Sequence, residues 1–138
     1  MTPPAFGDHR LAPIAGYDVA ELCVRILTDP APHISKSYDL NGPELKDMHG
    51  FAQDYAAVLG REVVYVAEDV ETWNETYVDT ALAALPHTAE HLTTLTRLMG
   101  GGGYCGGTDQ LQSLLGRPPK TVRWALKHHP RIQKLAAA

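Results

Sequence analysis

The sequence is short of cysteine, of long apolar runs and, past residue 109, of any acid. Its two cysteines, Cys23 and Cys105, are 82 positions apart. That spacing fits neither a metal-ligand pair nor a redox motif, and it excludes a disulfide-framed miniprotein. A reducing cytoplasm is the expected compartment. No apolar run approaches the roughly 20 residues of a membrane helix, so no membrane partner is expected. No basic-then-apolar leader opens the chain, and export is not expected either. Walker, G-x-S-x-G and Tyr-x-x-x-Lys sequences are all missing, which removes the usual sequence marks of P-loop and α/β-hydrolase chemistry.

What is present suits one globular domain. The chain has 138 residues, of which 44% are hydrophobic and 20% charged, so it can bury a core of its own. Residues 1–138 read as a single lobe, with 1–8 as a flexible arm and 131–138 as a loose tail. Charge is unevenly spread: residues 1–116 hold all 16 acids and 6 of the 12 bases, whereas 117–138 hold the other 6 bases and no acid. Lys120, Arg123, Lys127, Arg131 and Lys134 recur at helical steps of three or four. A solvated helix face that complements an acidic body accounts for this pattern. The acidic body would repel a phosphate backbone, so nucleic acid is not an expected partner.

Hydrophobic periodicity predicts an α/β chain: a small half-sheet of about three short strands with five to six helices around it. The strands are expected at Leu11–Ile14, Ser37–Leu40 and Glu62–Val66, the last being densest in β-branched and aromatic residues. Asp18-Val19-Ala20-Glu21 has the form of a capping box before the apolar stripe Val19, Leu22, Cys23, Ile26 and Leu27. Asp29-Pro30 would end that helix, and Gly60 would end a second helix carrying Phe51, Tyr55, Val58 and Leu59. Thr72-Trp73-Asn74-Glu75 reads as a second capping box. A helix with Leu92, Leu95, Leu98 and Met99 follows, then a glycine-rich loop at 100–107 and short helices near 109–115 and 119–129.

Gly101 to Gly106 spells G-x-G-x-x-G, but the segment before it has a helical period and no acid follows about 20 residues on. The context of a dinucleotide cradle is missing, and a loop that covers a pocket is the functional alternative. His87-Thr88-Ala89-Glu90-His91 has the spacing of an inverted zinc-protease motif, yet a catalytic zinc needs a third protein ligand and no glutamate follows Glu90. An exposed helix start is the plainer account. His128-His129 are adjacent and would point about 100° apart on a helix. No metal is expected. Cys23 is expected in the core, and Cys105 is the better candidate for a reactive thiol.

In order and spacing, several stretches resemble the C-terminal half of the NmrA-like family, atypical relatives of the short-chain dehydrogenase/reductases. They are Leu11 through Glu21, Ile26 through Pro30, Lys36 through Glu44, Leu59 through Val66 and Thr108 through Thr121. The resemblance implies a small lobe whose helices form one wall of a small-molecule cleft. The family's Rossmann half, with its glycine-rich nucleotide loop, has no counterpart in these residues, so neither a nicotinamide cofactor nor redox catalysis is carried over.

Two functional expectations follow. In one, the lobe binds a small organic molecule and works without a cofactor, through acid–base chemistry such as cyclisation, isomerisation or bond cleavage. His87, Tyr17 and Tyr104 are its candidate catalytic residues, and Trp73, Tyr77, Met99, Gly101 and Gly103 its candidate substrate contacts. In the other, the lobe is a non-catalytic regulatory or interaction module that completes a partner protein. Either way a homodimer is expected, because apolar faces and sheet edges would otherwise stay uncovered.

Overall fold

A computed structural model describes residues 9–78, 86–102 and 109–137. Seven helices lie in these segments: α1 (Gly16–Thr28), α2 (Met48–Leu59), α3 (Val70–Trp73), α4 (Pro86–Gly100), α5 (Gln110–Leu115), α6 (Val122–His128) and α7 (Pro130–Ala136). Between α3 and α4, Asn74–Val78 form a π-helical turn. The expected half-sheet is not there. Among the described residues no strand forms, and Leu11 and Lys46 make an isolated antiparallel bridge, with N···O distances of 2.8 and 2.9 Å.

The reason lies in what the extended segments pack against. Leu11–Ile14 runs beside residues 42–46, not beside Ser37–Leu40, and Gly42 N–H donates to Ala12 C=O at 2.9 Å. Ile14 and Leu40 instead point into a small helical core of Leu22 on α1 with Leu111 and Leu115 on α5. Val64 and Val66, two of the three β-branched residues of the third expected strand, are largely exposed. Strand propensity measures the fit of a side chain to neighbouring strands, and a segment with no such neighbour gains nothing from it.

Helix ends also differ from the sequence reading. Ala15, not Asp18, is the N-cap of α1, with no side-chain cap, and Asp18 lies within the first turn. Asp69, not Thr72, caps α3, its carboxylate accepting from Thr72 N–H at 2.9 Å. Gly60 and Gly116 end α2 and α5 as glycines do, at φ of 66° and 64°. Cys23 is exposed and not in the core, because α1 turns Leu22 and Ile26 inward and leaves Tyr17, Val24 and Leu27 outward. Residues 131–136, in the stretch read as a loose tail, belong to α7 (Pro130–Ala136). The α3–α4 pair packs on its own π turn, where Trp73 and Thr96 are buried and Thr93 Oγ1 donates to Asn74 Oδ1 at 3.1 Å.

Candidate functional site: an apolar cleft walled by α2, α6 and α7

Helix α6 is held by two buried carboxylates. Asp54 of α2 is 1% exposed, and its Oδ2 accepts from Lys46 Nζ at 2.5 Å while its Oδ1 accepts from Arg123 Nε and Nη2 at 3.1 and 2.9 Å. Asp18 of α1 is 0% exposed and accepts from Arg117 Nη2 at 2.7 Å and from the Lys120 N–H and Nζ at 2.6 and 3.2 Å. A buried carboxylate left unpaired would be expelled or neutralised. Here each is met by two cations, and Arg117, Lys120 and Arg123 reach their carboxylates from 69 to 102 positions away, so α6 is tied to α1 at its start and to α2 along its length. Arg117 also pairs with Glu21, which Arg25 holds from the other side at 2.7 Å.

The charges of these groups respond accordingly. Burial works against the Asp18 carboxylate, but Arg117 and Lys120 outweigh it and hold the group below its ordinary value of 3.8. Arg117, then Arg25, hold Glu21 below 4.5. Burial would lower the Lys46 ammonium, but Asp54 and Glu44 hold it above 10.5. Lys120 and Arg123, read from the sequence as a solvated face, therefore each hold a buried carboxylate. Lys127, Arg131 and Lys134 are exposed.

These ties shape a cleft of about 320 Å³. Phe51 and Tyr55 of α2 form one wall, and Val122, Ala125 and Leu126 of α6 form another. Pro13, Ile14 and Ala15 close one side, and Ile132 of α7 stands across from them. Three polar side chains join this lining: Tyr55, Thr121 and His129. Thr121 caps α6, its Oγ1 accepting from Trp124 N–H at 3.1 Å, so its hydroxyl proton remains free to donate. His129 is both the last residue of α6's cap and the first of α7's, which places its ring where the two short helices meet. Among the described residues no carboxylate lines the cleft.

The residues expected to form a site fall in separate places. Tyr17 stands on α1 with its ring edge-on to Trp124, centroids 5.3 Å apart, and Trp124 stacks on His128 at 3.9 Å. Trp73 is buried on α3, Met99 is half-buried on α4, and His87 is exposed at the start of α4. Gly101 follows α4 directly, so a helix and not a strand leads into the G-x-G-x-x-G sequence. Tyr104, Cys105 and Gly103 lie outside the described residues, as does the side chain of Tyr77. Among the described residues no cluster of three His, Cys, Asp or Glu groups could hold a metal. The sequence did carry a signal for what was missed. Asp54 interrupts the apolar face of Phe51, Tyr55 and Val58, and an acid there needs a buried cation partner.

No protein-family model and no curated protein sequence matches the chain. Solved structures match its fold. A Citrobacter sp. triphenylmethane reductase complexed with NADP(H) superposes on 90% of this chain with a TM-score of 0.76 and 20% identity. A second structure of that reductase covers all of the chain at 0.74 and 18%. A nucleoside-diphosphate-sugar epimerase from Staphylococcus aureus covers 93% at 0.76 and 25% identity. The chain spans only 42–44% of the length of these proteins.

Proposed function

We propose that this chain is a small-molecule-binding lobe, of the kind that covers the substrate in NmrA-like proteins, and that its ligand occupies the α2–α6–α7 cleft. The observation that carries the reading is the cleft itself: about 320 Å³ of mainly apolar lining with three polar side chains around it. That is near the lower end of ligand-pocket volumes, about 300–1,000 Å³, and has their usual composition. The fold likeness to a reductase and an epimerase is consistent with a small-molecule role. The reading is one of binding. Among the described residues, His129 and Tyr55 make no mutual hydrogen bond, and acid–base catalysis in the cleft would require one of them to meet a substrate proton directly.

Native mass spectrometry of freshly purified protein tests this. A retained small-molecule mass is expected for the natural sequence, and its loss is expected when Ala125→Phe fills the cleft. A ligand retained equally by both, or none retained by either, would count against the cleft.

One observation favours a second reading, a module that completes another chain. On the outer face of α1, Val24 and Leu27 are 63% and 81% exposed. Recovery of one defined protein at equal stoichiometry on pull-down, lost on Leu27→Glu, would support it.

A further inference from the structure

We infer that the cleft selects an apolar molecule with an anionic or acceptor end, and rejects one with an ammonium end; this rests on the cleft being the binding site. The volume and the walls ask for a hydrophobic body. The question is what the polar end can be, and the side chains around the cleft answer it by what they offer and by what they lack.

Each polar lining group can donate. Thr121 has its oxygen occupied by Trp124 N–H but its proton free, Tyr55 offers a phenolic O–H, and His129 offers a ring N–H in either charge state. A ligand ammonium would need an acceptor, preferably a carboxylate. Among the described residues no acid lines the cleft, and the buried Asp54 of α2 and Asp18 of α1 are committed. Asp54 is gripped by Lys46 and Arg123, and Asp18 by Arg117 and Lys120. Recruiting either carboxylate would break its contacts with the two cations that let it stay buried, which costs more than a surface ion pair returns. The segment that forms α6 and α7 also holds four bases and no acid, with Lys127, Arg131 and Lys134 exposed. Its field favours a negative ligand end and opposes a positive one.

Three probes with one hydrophobic body separate the possibilities: 2-naphthoate, 2-naphthylmethanol and 2-naphthylmethylammonium. Affinity is read from NMR titration of the methyl groups of Ile14, Ala125, Leu126 and Ile132 in the full chain at low salt. The expected order is carboxylate tightest, alcohol intermediate and ammonium weakest, with at least tenfold between the two charged probes. Tyr55→Phe and His129→Gln should each reduce the carboxylate's advantage over the alcohol by threefold or more. The melting temperature checks that each variant is folded, and either variant alone suffices. Equal affinity for all three probes, or tightest binding of the ammonium, would overturn the ligand class and leave the cleft reading standing. Failure of every probe to shift these methyls would overturn both.

Discussion

Arg117 donates to Asp18 at 2.7 Å across a separation of 99 positions, joining the loop before α6 to the first turn of α1. Asp18 has no exposed surface, and its other oxygen takes the Lys120 N–H at 2.6 Å. Removing one member of such a buried pair strands the others, at a cost of about 3–5 kcal/mol. Asp18→Asn should therefore destabilise the fold by an amount in that range, measured from urea unfolding. A loss below about 1 kcal/mol would show that the pair is solvated in solution.

The same contacts set an acid limit. Asp18 and Glu21 are held below their ordinary values of 3.8 and 4.5, so their contribution is complete above those values. It is lost as pH falls through the lower folded-state values. Lys46, held above 10.5, contributes below that pH and loses its contribution as pH rises past it. The urea midpoint should thus be flat with respect to these groups across the neutral range and fall below about pH 4. Asp18→Asn should flatten the acid fall. An unchanged slope in that variant would assign the fall to other carboxylates.

Much of the helical layout was legible, and the carboxylate ties were not. Gly60 marked the end of α2 because a left-handed residue is a local requirement, visible in the sequence. Asp18 was misread because Asp-x-x-Glu is a good capping box, and only the fold reveals cations arriving from residues 117 and 120. Leu11–Ile14 and Val63–Val66 looked like strands because their composition fits a sheet. Whether a neighbouring strand exists is a tertiary fact. The cleft was invisible for a related reason: Phe51 read as one residue of an apolar helix face and Ile132 fell in the tail read as loose, and the two face one cleft only once α6 is fixed between α1 and α2.

Backbone closeness at one glycine gives a sharp contrast. A Cβ on Gly42 would stand 1.8 Å from the Pro13 carbonyl oxygen, whereas one on Gly16 meets nothing within 4 Å. Gly42→Ala must displace backbone beside the cleft wall, costing about 1–3 kcal/mol as overpacking does. Gly16→Ala, at the first position of α1, should be neutral or stabilise by up to about 1 kcal/mol. Similar melting temperatures for the two variants would contradict the contact between Gly42 and Pro13.

Dinucleotides should not bind. The letters G-x-G-x-x-G work where a strand leads into the first glycine and a helix receives the pyrophosphate. Here Gly101 N–H donates back to Arg97 C=O at 2.9 Å, so the chain enters the glycines from a helix end. Titration with NADH and NADPH should leave the melting temperature unchanged. A saturable rise of several degrees would reverse this, because a ligand of the native state must stabilise it.

Self-association is expected through the outer face of α1. Tyr17, Ala20, Val24 and Leu27 follow one another at helical spacing, and Tyr17, Val24 and Leu27 are 54%, 63% and 81% exposed. Twofold pairing is the commonest symmetry of soluble oligomers. An antiparallel pairing of two α1 helices would set Tyr17 against Leu27 of a second copy, and Ala20 against Val24, so each large side chain meets a complementary one. The inner face is already committed to Leu111 and Leu115, which leaves this contact free to form without disturbing the core. Light scattering on a gel-filtered sample at micromolar concentration should give twice the 15.0 kDa chain mass, and Leu27→Glu should return it to 15.0 kDa with the melting temperature nearly kept. A natural sequence that already scatters as 15.0 kDa would sink the dimer. A dimer that survives both Leu27→Glu and Val24→Glu would move the contact off α1.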